Sequence, residues 1–386
     1  MESLSVSINT TDTYAPKIDL KHITDHKGHL KLESLRTLPT GKDCAADLAF
    51  LRVVRFVASG SFGSCFECKG SSGRSYAAKI VAVPQDWLPK YDAFKISQHE
   101  INVCTGPRFL HLPRGSPFVR MLGYGILPPD LGPKLGLNIG KTLIYEWCNA
   151  RDLDGAIEGI VEAKYFLPEG LIWKWLIEVI NISHHMSKVC IIRGKVYPVI
   201  LHDDISMSNM FLTYPEDDPI GTKSWPSIRL GDYGFVKTLH EFDQEIVSDT
   251  TIALYTAPSW PRKSVKSELW SLVHIIYLMC THLCPARPRD NPSANRDGNP
   301  LNNMFTYSSE MLFKYNPGVV VWSIPPQYSA DLQKFFEFVL VEDRRLQRTP
   351  LEAANRLADL KAPARAAHFE PTPAGIFMDY AQRWGL

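Results

Sequence analysis

The sequence predicts an α+β fold in which a β-rich part precedes a larger, mainly helical one. Three observations predict it. Apolar and β-branched residues gather around a glycine cluster and a turn between Leu51 and Val83, the composition of an antiparallel hairpin followed by a third strand. Large apolar residues recur at helical spacing through 171–189 and 269–280. Between those helices, two apolar runs each end in a tight polar cluster, HDDISMSN (202–209) and GDYG (231–234), which together hold the acceptor side chains of Asp204, Asn209 and Asp232. Carboxylate and amide oxygens are hard ligands, suited to a metal-bound phosphate.

The chain has 386 residues, 45% hydrophobic and 22% charged, with a formal net charge of +1. That length suffices for one large two-lobed domain or two ordinary ones. So balanced a charge offers no general attraction to nucleic acid or anionic lipid, and no nucleic-acid partner is expected. The opening residues, MESLSVSINTTDTY, have neither the basic region nor the apolar core of a secretory signal. The most apolar run, 269–280, is too short to cross a bilayer and reads as a buried helix, so no membrane span is expected. Eight cysteines are scattered along the chain. Cys65 and Cys68 form a lone CxxC without a second pair at zinc spacing, and in a strand they point to opposite faces. Reduced thiols point to an intracellular protein, cytoplasmic or nuclear.

In chain order, residues 1–50 mix polar and basic stretches without sustained periodicity and read as an extension. From Leu51 come the hairpin and third strand, with Gly60 and Gly63 in ASGSFG (58–63) where backbone N–H groups approach phosphates most easily. A polar helix follows over 91–104, then strands at 118–126 and 141–148 separated by a Pro/Gly-rich loop. His184 and His185 in the 171–189 helix are adjacent, so they cannot share a face as metal ligands do at i, i+4. Residues 285–305 form a Pro/Asn/Arg-rich surface insertion. Helical pattern resumes at SADLQKFFEFVL (329–340) and LQRTPLEAANRL (346–357), and the tail from Ala362 is Pro/Ala-rich.

HDDISMSN resembles the catalytic loop of eukaryotic protein kinases, and DYG resembles their Asp-Phe-Gly motif. ASGSFG is similar to the family's glycine-rich loop, with Ala58 at the first glycine position. AAK, ending at Lys79 sixteen residues after Gly63, resembles the third-strand Val-Ala-Ile-Lys. IALYTAPSW (252–260) resembles Tyr-x-Ala-Pro-Glu, and SELWSLVHIIYLMC (267–280) the buried Asp-x-Trp-Ser-x-Gly helix. The resemblance implies a bilobal protein-kinase-like fold: an extension to residue 50, a kinase-like domain over 51–361 and a tail over 362–386. Its small lobe would run over about 51–148 and its large lobe over about 149–361. It implies ATP as phosphoryl donor, Mg2+, and a protein substrate or a regulated protein partner.

By the same resemblance, Lys79 takes the α/β-phosphates and Glu100 orients it, Asp204 accepts the substrate hydroxyl's proton, and Asn209 and Asp232 hold Mg2+. The implied nucleotide contacts are Gly60, Ser61, Phe62, Gly63, Cys65, Ala77, Lys79, Glu146, Cys148, Asp152 and Phe211, with Tyr145 as a bulky gatekeeper. Asp152 fits a ribose contact or a helix N-terminus equally. Several positions depart from the family. Asp203 replaces an arginine that grips a phosphorylated loop, where it would repel such a phosphate and push the pKa of Asp204 up. Ser206 replaces the lysine that reaches the transferring phosphate, and Ile252 the threonine that bonds that lysine. Ser259 deprives Arg348 of an ion-pair partner, while Glu268 and Val273 alter the buried helix. The readings left are a slow, divergent Ser/Thr protein kinase, a pseudokinase scaffold that binds nucleotide, and a small-molecule kinase of the aminoglycoside/choline type. The glycine of DYG, the Ala-Pro pair and the Trp-Ser helix favour the protein-kinase side.

Overall fold

The structure, a computed structural model, describes residues 18–60, 62–88, 90–192, 195–218, 221–239, 245–247, 262–281, 324–341, 343–370, 372 and 377. Ser61, Ile252, the Tyr255–Ser259 stretch, the 285–305 insertion and the tail's last residues apart from Phe377 lie outside the described residues.

Ahead of the first expected strand, the chain is already part of the small lobe. Helix α1 (Leu20–Ile23), strand β1 (Ser34–Thr37) and helix α2 (Ala45–Leu48) precede the hairpin β2 (Arg52–Gly60) and β3 (Gly63–Lys69). Strand β4 (Ser75–Pro84) follows a turn at 71–73. Two further strands, β5 (Met121–Ile126) and β6 (Leu137–Glu146), complete a six-stranded antiparallel sheet in the order β1-β5-β6-β4-β3-β2.

The strand pattern explains why residues 18–50 pack on the sheet. Alternation along β4 sends Tyr76, Ala78, Ile80 and Ala82 to one face. There they are buried with Ile18, Ile23, Leu30, Leu48 and Leu51. Without that cover the outer face of the sheet would stand in water. Each element is only four residues long, too short to leave a periodic signature in the sequence. Thr40 Oγ1 donates to the Met121 carbonyl at 2.5 Å. A Cβ on Gly41 would lie 2.2 Å from the Leu122 oxygen, so this close approach to β5 requires glycine.

Asp47 anchors the same layer to the β3–β4 turn. Its carboxylate accepts from Ser71 Oγ at 2.9 Å, Ser72 N at 2.7 Å, Ser72 Oγ at 2.5 Å and the Tyr76 hydroxyl at 2.7 Å.

Helix α3 (Ala93–Cys104) starts at Asp92, whose carboxylate accepts from Phe94 N at 2.9 Å. Its buried residues, Ala93, Ser97, Glu100, Ile101 and Cys104, follow helical spacing and face the sheet. The contact is tight at Gly140, where a Cβ would meet the Ala93 oxygen at 2.2 Å. The expected loop between β5 and β6 instead contains helix α4 (Leu131–Leu135), closed by Gly136 at φ +67°, and β6 begins at Leu137 rather than 141. Leu131 and Gly132, buried against the small lobe, supply the reason.

The large lobe is built on helices α5 (Leu153–Glu162), α6 (Glu169–Ser187) and α7 (Val265–Thr281). Trp173 and Trp175 of α6 are fully buried, and α7 is buried from Ser267 to Cys280. Among the described residues no helix is long and apolar enough to cross a membrane. Helices at Ala330–Val339 and Pro350–Asp359 follow, the second with a Thr349–Glu352 capping box. Short ribbons carry the polar clusters. They are β7 (Cys190–Ile192) with β8 (Lys195–Tyr197), β9 (Ile200–Leu201) with β12 (Lys237–Thr238), β10 (Met210–Thr213) with β11 (Ser227–Leu230), and β13 (Ile246–Val247) with β14 (Arg262–Lys263).

Asp47→Ala should destabilise the protein by about 1–3 kcal/mol, chiefly the cost of leaving the buried Tyr76 hydroxyl unpaired. Burial alone would raise the Asp47 pKa, but Ser72, Tyr76 and Ser71 hold it well below the ordinary carboxylate value. A depressed folded pKa contributes stability that is present above the unfolded pKa and lost as pH falls through the folded one. Thermal melts of wild type and variant should therefore differ most at neutral pH and converge in acid.

Candidate functional site

Strand β4 carries Lys79 on the face opposite Tyr76, and α3 carries Glu100 one-third of the way from its end. Lys79 Nζ lies 2.9 Å from Glu100 Oε2 and 2.7 Å from Asp232 Oδ1. A third element fixes Glu100 from behind, since the Tyr145 hydroxyl donates to its Oε1 at 2.5 Å. Glu100 is fully buried, whereas the Lys79 and Asp232 side chains retain 20% and 37% exposure toward the cleft. Burial works against charge on Lys79, yet the carboxylates of Asp232 and Glu100 keep its pKa above the usual lysine value. Burial also pushes Asp232 upward, but the Lys79 ammonium overcomes it and holds this carboxyl below the ordinary range. The Glu100 carboxyl is raised, by burial first.

The two polar clusters are tied to each other. His202 Nε2 donates to the Gly231 carbonyl at 3.0 Å, and Gly231 N donates to the Asn209 carbonyl at 3.0 Å. Glu268 of α7 accepts from His202 N at 2.9 Å and Asp203 N at 2.7 Å, so the extra methylene relative to aspartate is accommodated. Asp203 and Asp232 both sit at positive φ, +63° and +60°, a region where Asp is among the tolerated residues. Tyr233 is buried against Phe109, and its hydroxyl lies 2.8 Å from the carbonyls of both Val119 and Leu230.

Asn209 Nδ2 donates to Asp204 Oδ2 at 2.9 Å and to the Asp204 carbonyl at 2.8 Å. Among the described residues no hydrogen bond engages the Asn209 side-chain oxygen. The Asp204 pKa is pushed up to about 6, chiefly by burial and then by the charge of Asp232, with Asn209 pulling the other way. The sequence assigned that rise to Asp203, which contributes least of these. Its charge is met by the ammoniums of Lys237, 2.7 Å from Oδ2, and Lys263, 2.9 Å from Oδ1.

The remaining sequence candidates are distributed around this centre. Gly60 and Gly63 face each other where β2 meets β3, and a Cβ on Gly63, at φ +152°, would lie 2.2 Å from the Ile80 oxygen. Phe62 packs edge-on against Tyr91 and Phe235. Cys65 pairs with Lys79 in register, and Ala77 lies two residues before Lys79 on the same face. The Glu146 side chain is engaged by Arg120 at 3.0 Å and Arg229 at 2.7 Å, and its backbone N–H donates to the Arg120 carbonyl at 3.0 Å. Cys148 is half-buried against the core. Asp152 caps α5, accepting from Gly155 N at 2.7 Å, and bridges to Phe211 of β10.

A β-rich lobe and a helical lobe meeting at a Lys–Glu–Asp ion set, with an Asp–Asn loop beneath, define the α+β bilobal fold of protein kinases. The chain is a divergent protein kinase-like protein, similar to several serine/threonine kinases. No family model matches it. It is 25% identical over 206 residues to the probable serine/threonine-protein kinase nek2 of Dictyostelium discoideum, covering 52% of this chain and 40% of that protein. To the serine/threonine-protein kinase Nek11 of Homo sapiens it is 27% identical over 215 residues, 54% of this chain and 27% of that one. To the probable serine/threonine-protein kinase iksA of Dictyostelium discoideum it is 24% identical over 315 residues, 74% and 29% of the two chains. The chain thus spans at most two-fifths of the length of these relatives.

Sequence reasoning missed the second tier of partners: the Tyr145 hydroxyl, the two arginines on Glu146 and the two lysines on Asp203. Of these, only Tyr145 is singled out by the resemblance, and there as a bulky side chain rather than a hydrogen-bond donor. In Mg-free protein the Asp204 carboxyl should titrate near pH 6, protonated below and basic above, rather than at its ordinary 3.8. Carbon-13 carboxyl NMR, with Asp204→Asn to assign the signal, checks this, and a midpoint at the ordinary value would contradict the burial described.

Proposed function

We propose that the protein is a slow, Mg-ATP-dependent protein kinase acting on Ser/Thr hydroxyls. The observation that carries this reading is the joint engagement of Lys79 by Glu100 and Asp232 above an Asp204–Asn209 pair. One ammonium here faces the carboxylates of Glu100, Asp232 and, nearby, Asp204, an excess of negative charge that suits a divalent cation. Asp232 and the Asn209 side-chain oxygen form the small hard-ligand set that Mg2+ takes when phosphate oxygens complete its shell. Bound Mg-ATP would supply the phosphoryl group and the charge neutralisation.

The chain's own residues do the rest. Lys79, held by Glu100, offers a fixed positive charge to phosphate oxygens, and the glycine hairpin brings backbone N–H groups over them. Asp204 Oδ2 is held by Asn209, which aims the carboxylate at an incoming hydroxyl, and its elevated pKa makes it a better proton acceptor than an ordinary aspartate. Ser206, whose hydroxyl contacts Ser208 Oγ at 3.0 Å, brings no positive charge. Losing one electrostatic contact to a transition state slows reaction by about 10²–10³-fold, against roughly 1–100 per second for kinases. The same absence supports the runner-up, a nucleotide-binding scaffold without transfer.

Single-turnover incubation with labelled ATP and Mg2+ separates the two: label transfer should be slow in wild type and lost in Asp204→Asn. Equal incorporation in both proteins would remove the catalytic reading. Independently, Lys79→Met should weaken Mg-ATP binding by about 10–10²-fold, the equivalent of a charged hydrogen bond worth roughly 1.5–3 kcal/mol. Isothermal titration measures it, and unchanged affinity would count against the assigned nucleotide site.

A further inference from the structure

The buried ions around Asp203 have no part in the reaction as read above. The Asp203 side chain is fully buried, and its neighbour in sequence is Asp204. Lys263 Nζ sits 2.9 Å from its Oδ1 and also donates to its backbone carbonyl at 2.6 Å. Lys237 Nζ sits 2.7 Å from Oδ2. Meanwhile Glu268 holds the Asp203 backbone N–H at 2.7 Å. The N–H of this one residue is therefore held by Glu268, and its C=O and carboxylate by the two lysines, with Lys263 reaching both. Such over-determination is what lets a non-glycine residue persist at φ +63°.

The two lysines reach Asp203 from distant points of the chain. Lys237 opens β12, directly after the DYG cluster, and pairs with Leu201 of β9. Lys263 ends β14, at the entrance to α7, and its side chain is 8% exposed. Burying a lone carboxylate is expensive, and removing one partner of a buried pair is strongly destabilising. Both lysines are already engaged by Asp203, so the cluster is complete without an added anion.

We propose that Asp203, Lys237 and Lys263 form a built-in charge clamp that positions Asp204, so that the catalytic loop holds its geometry with no phosphoryl group on the protein. Asp203 and Lys263 are positioning residues acting through the backbone of the 203–204 peptide. The inference rests on the kinase reading for its rate measurements, but not for its structural one.

The test compares the full chain, with and without exhaustive phosphatase treatment, against Lys263→Met and Lys263→Arg. Phosphatase-treated wild type should keep its single-turnover rate. Lys263→Met should lose about 10–10²-fold in kcat, the scale of a misplacement near 1 Å, with KM for ATP unchanged, and Lys263→Arg should recover most of the loss. The Asn209 side-chain amide, bonded to Asp204 Oδ2, reports the loop directly by NMR: its resonance should move in Lys263→Met and return in Lys263→Arg. A rate that collapses on phosphatase treatment overturns the proposal. So does a folded Lys263→Met with the wild-type amide resonance. Should wild type show no Asp204-dependent transfer, the kinase reading fails and the amide resonance alone decides the clamp. If Lys263→Met does not fold, Lys237→Met, altered at a side chain 37% exposed, takes its place with the same outcomes.

Discussion

The ammonium of Lys79 is shared between carboxylates from the two lobes, and the geometry of the cleft follows from that sharing. A cation this poorly exposed needs partners, as do the carboxylates around it. Strand β4 fixes where the ammonium stands, α3 brings Glu100, and the turn after β11 brings Asp232. Satisfying the three together requires the helix to lie against the sheet and the large-lobe turn to rise toward it. Gly140 permits the first approach, and the positive φ of Asp232 permits the second. The Tyr145 hydroxyl completes the restraint on Glu100, so the helix is held at this point by strand β6 as well as by Lys79.

What the sequence made legible was the set whose spacing is local. His202, Asp204 and Asn209 sit within eight consecutive residues, and Asp232 follows an apolar strand. Loop length and strand period alone place such residues beside one another. Lys79 and Glu100 are 21 residues apart, still a strand and one helix, and the structure brings them within a hydrogen bond. The helical runs at 171–189 and 267–280 were equally plain because each has a dense apolar face along its whole length.

What stayed hidden depends on pairings that no local pattern encodes. Lys237 and Lys263 lie 34 and 60 positions from Asp203, on two-residue strands that carry no periodic signal. Nothing in the sequence says which carboxylate will be buried, and burial is what makes those lysines matter. Residues 18–50 went unread for a related reason. Their contribution is a handful of single apolar side chains spread over turns, each meaningful only once the outer face of the sheet exists to be covered. Asp47 shows the same logic in polar form, since its partners at 71, 72 and 76 lie across the sheet hairpin.

The departures from the kinase pattern fall into two physical kinds. At scaffold positions the surroundings have changed along with the residue. Glu268 is longer than aspartate, yet its two oxygens reach both backbone amides of the 202–203 pair. Asp203 reverses a charge and is met by two lysines. Arg348 stacks 4.5 Å over the Phe338 ring and donates to the Phe338 carbonyl. At position 206 no such adjustment is visible, because the hydroxyl turns to Ser208 and, among the described residues, no salt bridge brings a cation onto Asp204. Compensation preserves the placement of groups, whereas the uncompensated change removes charge from where it would act. Placement and charge contribute separately to a transition state, so a loop this firmly held can keep the first while lacking part of the second.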